Sequence, residues 1–237
     1  MRILLIGYGK MGKTIEQMAL AKGHQIVGTI DHTNSETLQK YTAANVDVAI
    51  EFTHPEAAFG NISYCLTNGI PVVSGSTGWL DKFDEAKKLC SEHNGAFFYA
   101  SNFSVGVNLF FHFNEYIAAK MQAYKAYKVG IREIHHLQKV DKPSGTGITA
   151  AEGILANYPI LSGWVADEET EGKLNIISER EPDVVGTHIV TYSSEVDKIE
   201  LAHVAHSRAG FAEGAIMAAE WLKDKEGVYG MKDMLNL

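Results

Sequence analysis

Cysteine is nearly absent: Cys65 and Cys90 are the two in 237 residues. Two thiols in a chain of this size make no disulfide framework. Both fall in segments patterned as amphipathic helices, so they are expected to be free and buried. Long apolar runs are missing too. The opening run, Met1–Ile6, breaks at Gly7 and is too short for a signal-peptide core, and nothing later approaches about 18 uninterrupted apolar residues. A reducing cytoplasm is the expected compartment, with no membrane partner. Positive charge is in deficit, 21 Lys and Arg against 29 Asp and Glu, for a net charge of −8. General nucleic-acid binding needs a basic surface and is excluded by that balance. An anionic small molecule is not excluded, because it needs only a local cluster of cations. Internal repeats and low-complexity stretches are also absent. What is present, 46% hydrophobic and 21% charged residues, suits a globular chain of one large or two small domains.

The first hundred or so residues alternate in type. Strand-like runs at Arg2–Ile6, Gln25–Ile30, Val46–Phe52, Pro71–Val73 and Ala96–Tyr99 interleave with helical patterns at Lys13–Ala21, Pro55–Leu66 and Leu80–Ser91. The last of these sets Phe83, Ala86, Lys87 and Cys90 on one side. That rhythm predicts a Rossmann-type, doubly wound parallel sheet. After Ser104 the rhythm changes. A long helix over Val105–Met121 is followed by strands at Tyr127–His135, Leu174–Ser178, His188–Tyr192 and Lys198–Ala205, with one helix over Gly145–Leu155. This predicts a second α+β domain on a mostly antiparallel open sheet, whose last two strands form a hairpin. A final helix over Phe211–Leu222 is expected to return to the first domain. The expected division is 1–104 plus 211–237 for dinucleotide binding, and 105–210 for substrate binding and oligomerisation.

Gly7-Tyr8-Gly9-Lys10-Met11-Gly12 follows the first strand and opens a helix, which is the context a G-x-G-x-x-G loop requires. Gly7 allows the tight turn, Gly9 lets the backbone approach a pyrophosphate, and Gly12 lets helix and strand pack closely. The helix N-terminus adds uncompensated N–H groups. Asp31 ends the second strand, where a carboxylate can accept from the adenosine ribose hydroxyls and repel a 2′-phosphate. NADH is therefore favoured over NADPH, although His32 and Lys10 offer positive charge and leave dual use open.

The second informative stretch is Glu133-Ile134-His135-His136-Leu137-Gln138-Lys139-Val140-Asp141-Lys142-Pro143-Ser144-Gly145-Thr146. In a chain of net charge −8, this is a concentrated cationic loop between a strand and a helix. Ser144-Gly145-Thr146 opens that helix, so amides and a hydroxyl converge on a second anion site. His135 or His136 can supply a proton near neutral pH. Lys139 can hold a carboxylate or assist protonation. No residue set is read as a metal site.

His-His-x-x-Lys-x-Asp-x-Pro-Ser-Gly-Thr resembles the signature of the 4-hydroxy-tetrahydrodipicolinate reductases, also called dihydrodipicolinate reductases. The resemblance runs through nearly the whole chain. It takes in the glycine loop, Glu51–Pro55, Gly75–Gly78, Ser101–Asn108, His206–Phe211 and Tyr229–Leu235. It implies NAD(P)H-dependent reduction of a cyclic dicarboxylate in lysine and diaminopimelate biosynthesis. It implies His135 as proton donor, Lys139 as its partner at the substrate, and His136, Gly145 and Thr146 as carboxylate binders. For the cofactor it implies Gly7, Gly9, Lys10, Met11, Gly12 and Asp31, with Phe52 and His54 at the border. Gly75, Thr77, Ser101, Asn102, Phe103 and Ser104 would line the nicotinamide side. A homotetramer joined through the second sheet is implied by resemblance alone. The chain is shorter than is usual in the family between Asp31 and Val46. It also carries His54 where a basic residue is common, and Asp31-His32 where an acidic residue is often followed by arginine. Two other readings compete: a different two-domain dehydrogenase, and a cofactor-sensing regulator without catalysis. Neither accounts for the stretch from His135 to Thr146.

Overall fold

The computed structural model describes residues 1–207 and 209–237; Arg208, within the His206–Phe211 motif, lies outside the described residues. The chain divides into two compact units, Met1–Val105 with Ala209–Leu237, and Gly106–Arg208.

The first unit is built on strands β1 (Arg2–Ile6), β2 (Gln25–Ile30), β3 (Val48–Glu51), β4 (Val72–Ser74), β5 (Ala96–Tyr99) and β11 (Gly227–Tyr229). They form a six-stranded sheet in the order β2-β1-β3-β4-β5-β11, and every ladder is parallel. Parallel sheets are covered on both faces, which is why β1 reads as a continuous apolar run. Ile3 and Leu5 face a core with Ile15 and Ala19 of α1 (Lys10–Ala21) and with Ala212, Ala215 and Ile216 of α6 (Ala209–Leu222). Leu4 and Ile6 face the opposite core, with Ala58 and Ile62 of α2 (Pro55–Thr67) and Ala86 and Cys90 of α3 (Phe83–Glu92). Small residues let α6 approach closely: a Cβ on Gly214 would lie 1.8 Å from the Phe103 carbonyl oxygen. Cys65 and Cys90 are both free and buried.

Between β2 and β3 the crossover is a 3-10 turn, Ser35–Lys40, rather than an α-helix. The segment read as one helix from Leu80 begins as a 3-10 turn, Leu80–Lys82, before α3. Lys87 does not join the apolar side of α3. It is exposed and pairs with Asp84 at 2.5 Å, because a solvated ammonium costs nothing on the helix's outer face. Beyond the expected elements, the chain ends with β11 and α7 (Met231–Leu235).

In the second unit, α4 (Val105–Met121) leads to β6 (Lys128–His135), α5 (Gly145–Leu155), β7 (Trp164–Ala166), β8 (Leu174–Arg180), β9 (Gly186–Ser193) and β10 (Lys198–Ala205). The five strands lie in the order β10-β9-β6-β8-β7. The sheet is mixed rather than mostly antiparallel. The ladders of β9 with β10 and with β6 are antiparallel, as the β9–β10 hairpin requires. Those of β8 with β6 and with β7 are parallel: α5 intervenes after β6, and residues 167–173 return the chain from β7 to β8, each in the same direction. On one face Ile131, Leu174, Ile176, Val190 and Tyr192 pack against Phe110 and Ala118 of α4 and Ala150, Ala151 and Ile154 of α5. Among the described residues no helix is long and apolar enough to cross a membrane.

Candidate active site

In the first unit, the glycine loop sits where the strand order reverses. From β1 the chain goes first to β2 on one side and then to β3 on the other, and the crevice at that point is where doubly wound sheets bind ligands. Gly7 has φ +97°, and a Cβ there would meet the Phe52 carbonyl oxygen at 1.9 Å, so the β1 loop and the end of β3 are in backbone contact. A Cβ on Gly12 would meet the Gly7 oxygen at 2.2 Å, whereas one on Gly9 would meet nothing within 4 Å. The loop is thus closed behind and open in front. Gly9 caps α1 without a side-chain hydrogen bond, and the first turn holds no acidic residue. The turn that includes Lys10, Met11 and Gly12 therefore suits an anionic diphosphate, and the NAD(P)H-type cofactor fits here.

Asp31 follows β2. Its Oδ1 accepts from the Thr33 amide at 2.7 Å and the Thr33 hydroxyl at 2.6 Å. Those bonds hold its carboxyl below the usual carboxylate range. Thr33 lies in the turn that Asn34 closes by accepting from the Asp31 amide at 2.8 Å and donating to Thr29 O at 2.9 Å.

The loops after β3 and β4 are tied by a carboxylate to which the sequence reading gave no role. Glu51 is fully buried and accepts from Ser74 Oγ at 2.6 Å, Ser76 Oγ at 2.9 Å, the Thr53 amide at 3.0 Å and the Thr53 hydroxyl. Phe52 lies over Gly75, where a Cβ would be 2.1 Å from the ring. It also packs against Phe103 at 5.7 Å. Phe103 itself is a core residue, stacked on Phe98 at 5.8 Å. Its side chain supports the turn before α4 from the core side. His54, Thr77 and Ser101 are exposed, and Asn102 and Ser104 are half-buried. The Asn102 side chain accepts from the Ser104 amide at 2.9 Å, which shapes the turn before α4.

The second unit gathers His135, His136, Lys139, Gly145 and Thr146 around the carboxyl end of β6. His135 is buried at the last residue of the strand. Burial, foremost, pushes its pKa down; Glu133 and Asp141 pull it up, and Lys139 and Arg180 push it further down. Lys139 holds both oxygens of Asp141 at 2.8 Å, and that bond keeps the Asp141 carboxyl low. Arg180, which pairs with His135 across the β6–β8 ladder, donates to Lys139 O at 3.2 Å and Asp141 O at 2.7 Å. The cationic loop is therefore pinned by its backbone. A further ion pair, Lys142 to Asp167 at 2.7 Å, secures its far end.

The first turn of α5 is built on Glu133. This fully buried carboxylate accepts from the Ser144 amide at 2.8 Å, the Ser144 hydroxyl, and Ser178 Oγ at 3.0 Å. Ser144 Oγ caps the helix by accepting from Gly147 N at 3.0 Å. The amides of Gly145 and Thr146 lie ahead of that cap, and orphan N–H groups at a helix start suit a carboxylate. Gly147 is required by proximity, since a Cβ there would be 2.4 Å from Glu133 Oε2. Glu133 and His188 were not picked out by sequence reasoning as site residues. The available signal was a polar residue at a buried parity position of an apolar strand.

Comparison with known proteins identifies the family. Residues 1–103 match the family description "Dihydrodipicolinate reductase, N-terminus", and residues 106–235 match "Dihydrodipicolinate reductase, C-terminus". A 4-hydroxy-tetrahydrodipicolinate reductase of Christiangramia forsetii is 51% identical over 237 residues, covering 100% of this chain and 98% of that protein. One from Methanocaldococcus jannaschii is 35% identical over 241 residues, covering 98% and 81%. A solved structure, dipicolinate-bound dihydrodipicolinate reductase from Paenisporosarcina sp. TG-14, shares the fold with a TM-score of 0.83 at 23% identity, over 98% of each chain.

Proposed function

The chain belongs to the dihydrodipicolinate reductase family, and from that premise we propose how its residues divide the family's reaction. It is an NAD(P)H-dependent oxidoreductase that reduces 4-hydroxy-tetrahydrodipicolinate to tetrahydrodipicolinate in lysine and diaminopimelate biosynthesis. The observation that carries the division of labour is the cluster at the end of β6: a buried imidazole, a pinned lysine and a helix start with the Gly145 and Thr146 amides beside its Ser144 cap, on one loop.

NAD(P)H supplies a hydride when bound. The first unit is the dinucleotide domain. There Gly7, Gly9, Lys10, Met11 and Gly12 hold the diphosphate, and Asp31 takes the adenosine ribose. Phe52, His54, Gly75, Thr77 and the 101–104 turn flank the nicotinamide. Asp31 is ionised and carries no arginine neighbour, which supports NADH as the preferred cofactor.

The second unit binds the dicarboxylate and protonates it; the dipicolinate bound to the Paenisporosarcina protein supports a small dicarboxylate as the ligand. His136, Gly145 and Thr146 hold the ring carboxylates. Lys139 shares its ammonium between Asp141 and the substrate. Loss of the 4-hydroxyl with a neighbouring ring proton, as water, gives the dihydropyridine that is reduced, and His135 gives its proton to the enamine carbon that remains. Without substrate, burial keeps His135 below its ordinary pKa; a dianion bound beside it favours the protonated ring. The donor is thereby charged when there is something to protonate.

The outer face of the second sheet supports the homotetramer. Ile177 and Val204 stand 42% and 53% exposed, with the Arg132–Glu179 pair at 3.6 Å on the same face. Two free buried thiols suit a reducing cytoplasm.

The test is oxidation of NADH and NADPH with and without the precursor, for wild type and His135→Gln. The variant should lose about 10²-fold or more in kcat, the range of general acid catalysis, with a smaller change in KM. An unchanged kcat would move the role of donor to His136.

A further inference from the structure

Glu133, His188 and the Ser144 hydroxyl form a buried chain whose direction can be worked out. Ser144 has one hydroxyl hydrogen, and Glu133 takes it. The Ser144 oxygen must therefore accept from His188 Nε2 at 3.2 Å, as it does from the Gly147 amide at 3.0 Å. His188 is left with a bare, buried Nδ1 that has no partner among the described residues. Burial, foremost, lowers its pKa to about 3, so the ring is neutral. At 3.7 Å from Glu133 a protonated ring would form an ion pair; the neutral ring does not. Against this ring stands His135, edge to face, with centroids 5.0 Å apart and planes at 70°. Gly186 leaves room for both: a Cβ there would be 3.3 Å from His135 Nε2 and 3.9 Å from His188 Cε1.

We propose that Glu133 and His188 are positioning residues for His135: His188 is the uncharged wall that sets its ring, and Glu133 is the buried negative charge that keeps a proton available on it. The inference rests on His135 as the donor. The charges acting on His135 are Glu133 and Asp141, which favour the protonated ring, and Lys139 and Arg180, which oppose it. Of these Glu133 acts most strongly and is fully buried, so salt and solvent screen it least. His188, held neutral, adds no opposing charge. Glu133, His135 and His188 also have ligand atoms within 4.8 Å of one another, a spacing a divalent cation could use. Both Glu133 oxygens are already taken by Ser144 and Ser178, and His188 Nε2 by Ser144. That occupancy favours the hydrogen-bonded relay.

The test uses the full chain with Glu133→Gln, His188→Ala and His188→Phe, and His135→Gln as control. It reads kcat, KM, the pH profile of kcat/KM, affinity for a pyridine dicarboxylate, and fold by circular dichroism. Loss of the protonated donor sets the alkaline limb of the profile. Without the Glu133 charge the donor's pKa drops, so in Glu133→Gln the fall should begin at lower pH, with kcat near neutrality reduced about tenfold or more. His188→Ala should lose about tenfold to 10²-fold in kcat with KM little changed, the pattern of a misplaced reacting group. His188→Phe, which restores a neutral ring, should recover most of that loss. An unshifted or alkaline-shifted limb in folded Glu133→Gln overturns the proposal, as does an equal loss in the Ala and Phe variants. If Glu133→Gln does not fold, the Ala and Phe pair decides. Inhibition by added zinc that His188→Phe abolishes would replace the relay with a metal site. Full activity in His135→Gln would instead fail the donor assignment itself, and this inference with it.

Discussion

Glu51 and Glu133 invite comparison. Both are fully buried, both stand at or near the carboxyl end of a strand, and both accept from serine hydroxyls of later strands and loops. Their surroundings differ. Around Glu51 every bonded partner is a hydroxyl or an amide from Thr53, Ser74 or Ser76. Around Glu133 there are hydroxyls and an amide, and also two imidazoles, His135 and His188. A buried carboxylate repaid only by neutral donors can do no more than hold loops in place. One beside imidazoles also decides where a proton resides. On the proposed roles, the first unit would use its carboxylate to shape a cofactor cradle, and the second would use its own to shape an anion site and tune an acid.

The comparison breaks most strongly in acid. His188 titrates near its ordinary value of about 6.5 in the unfolded chain and near about 3 in the folded unit. Between those values the unfolded chain binds more protons. Stability should therefore fall as pH falls through that window and be unaffected by this group above it. His135, lowered by the same burial, adds in the same direction. By about pH 4 the His188 contribution should reach about 3 kcal/mol. Hydrogen exchange resolved by peptide, across that range, should show β9 losing protection before β1 and β3. His188→Phe should flatten the acid dependence. Equal acid loss in both units would mean that the two carboxylates' surroundings do not matter to stability.

The next test removes the carboxylate of the first unit. Glu51→Ala strands the Ser74 and Ser76 hydroxyls in a dry interior, at a cost of about 2 kcal/mol. Urea denaturation should show this as a lower midpoint, and the cofactor KM should rise. Affinity for a pyridine dicarboxylate without cofactor should stay near wild type. An equal loss of dicarboxylate affinity would show that the two hubs are not separable.

Neither hub was legible as such in the sequence, and the reason is physical. Val48-Ala49-Ile50-Glu51 and Ile131-Arg132-Glu133-Ile134 show an acidic residue in an apolar strand, but its partners come from Ser74, Ser76, Ser144 and Ser178, far along the chain. What could be read were local signals: β1, β2, β5, α4, α5 and β10 matched their expected bounds, because each shows its own periodicity and punctuation. β7 and β11 are three residues each, too short for any pattern. β11 exists through pairing of Gly227 with Ala96, which no window along the chain contains. The parallel half of the second sheet was missed likewise, since the return paths through α5 and through residues 167–173 determine it. His135 to Thr146 was legible because its chemistry is contiguous. The donors that orient it are not.

The smallest expected effect sharpens the comparison just past β2, at the proposed ribose position, where a third carboxylate is half-buried. Among the described residues the Asp31 side chain bonds only within its own turn, to the Thr33 amide and hydroxyl, so it serves neither hub. Two properties of Asp31 can act on the cofactor: its acceptor oxygens, which a ribose hydroxyl would use, and its charge, which would repel a 2′-phosphate. Asp31→Ser removes the charge and keeps one acceptor. NADH should weaken and NADPH should weaken less or improve, so the ratio of their kcat/KM values should fall about fivefold, as suits one partly exposed charge. Because the charge term is screened, the NADPH part of the change should shrink as salt is raised. Thr33→Val is the control, since it cuts the hydroxyl bond to Asp31 yet leaves the carboxylate. It should slacken the turn and weaken both cofactors alike. If Asp31→Ser also weakens both alike, Asp31 acts only by closing the turn, and the NADH preference must come from elsewhere in the loop that follows β2.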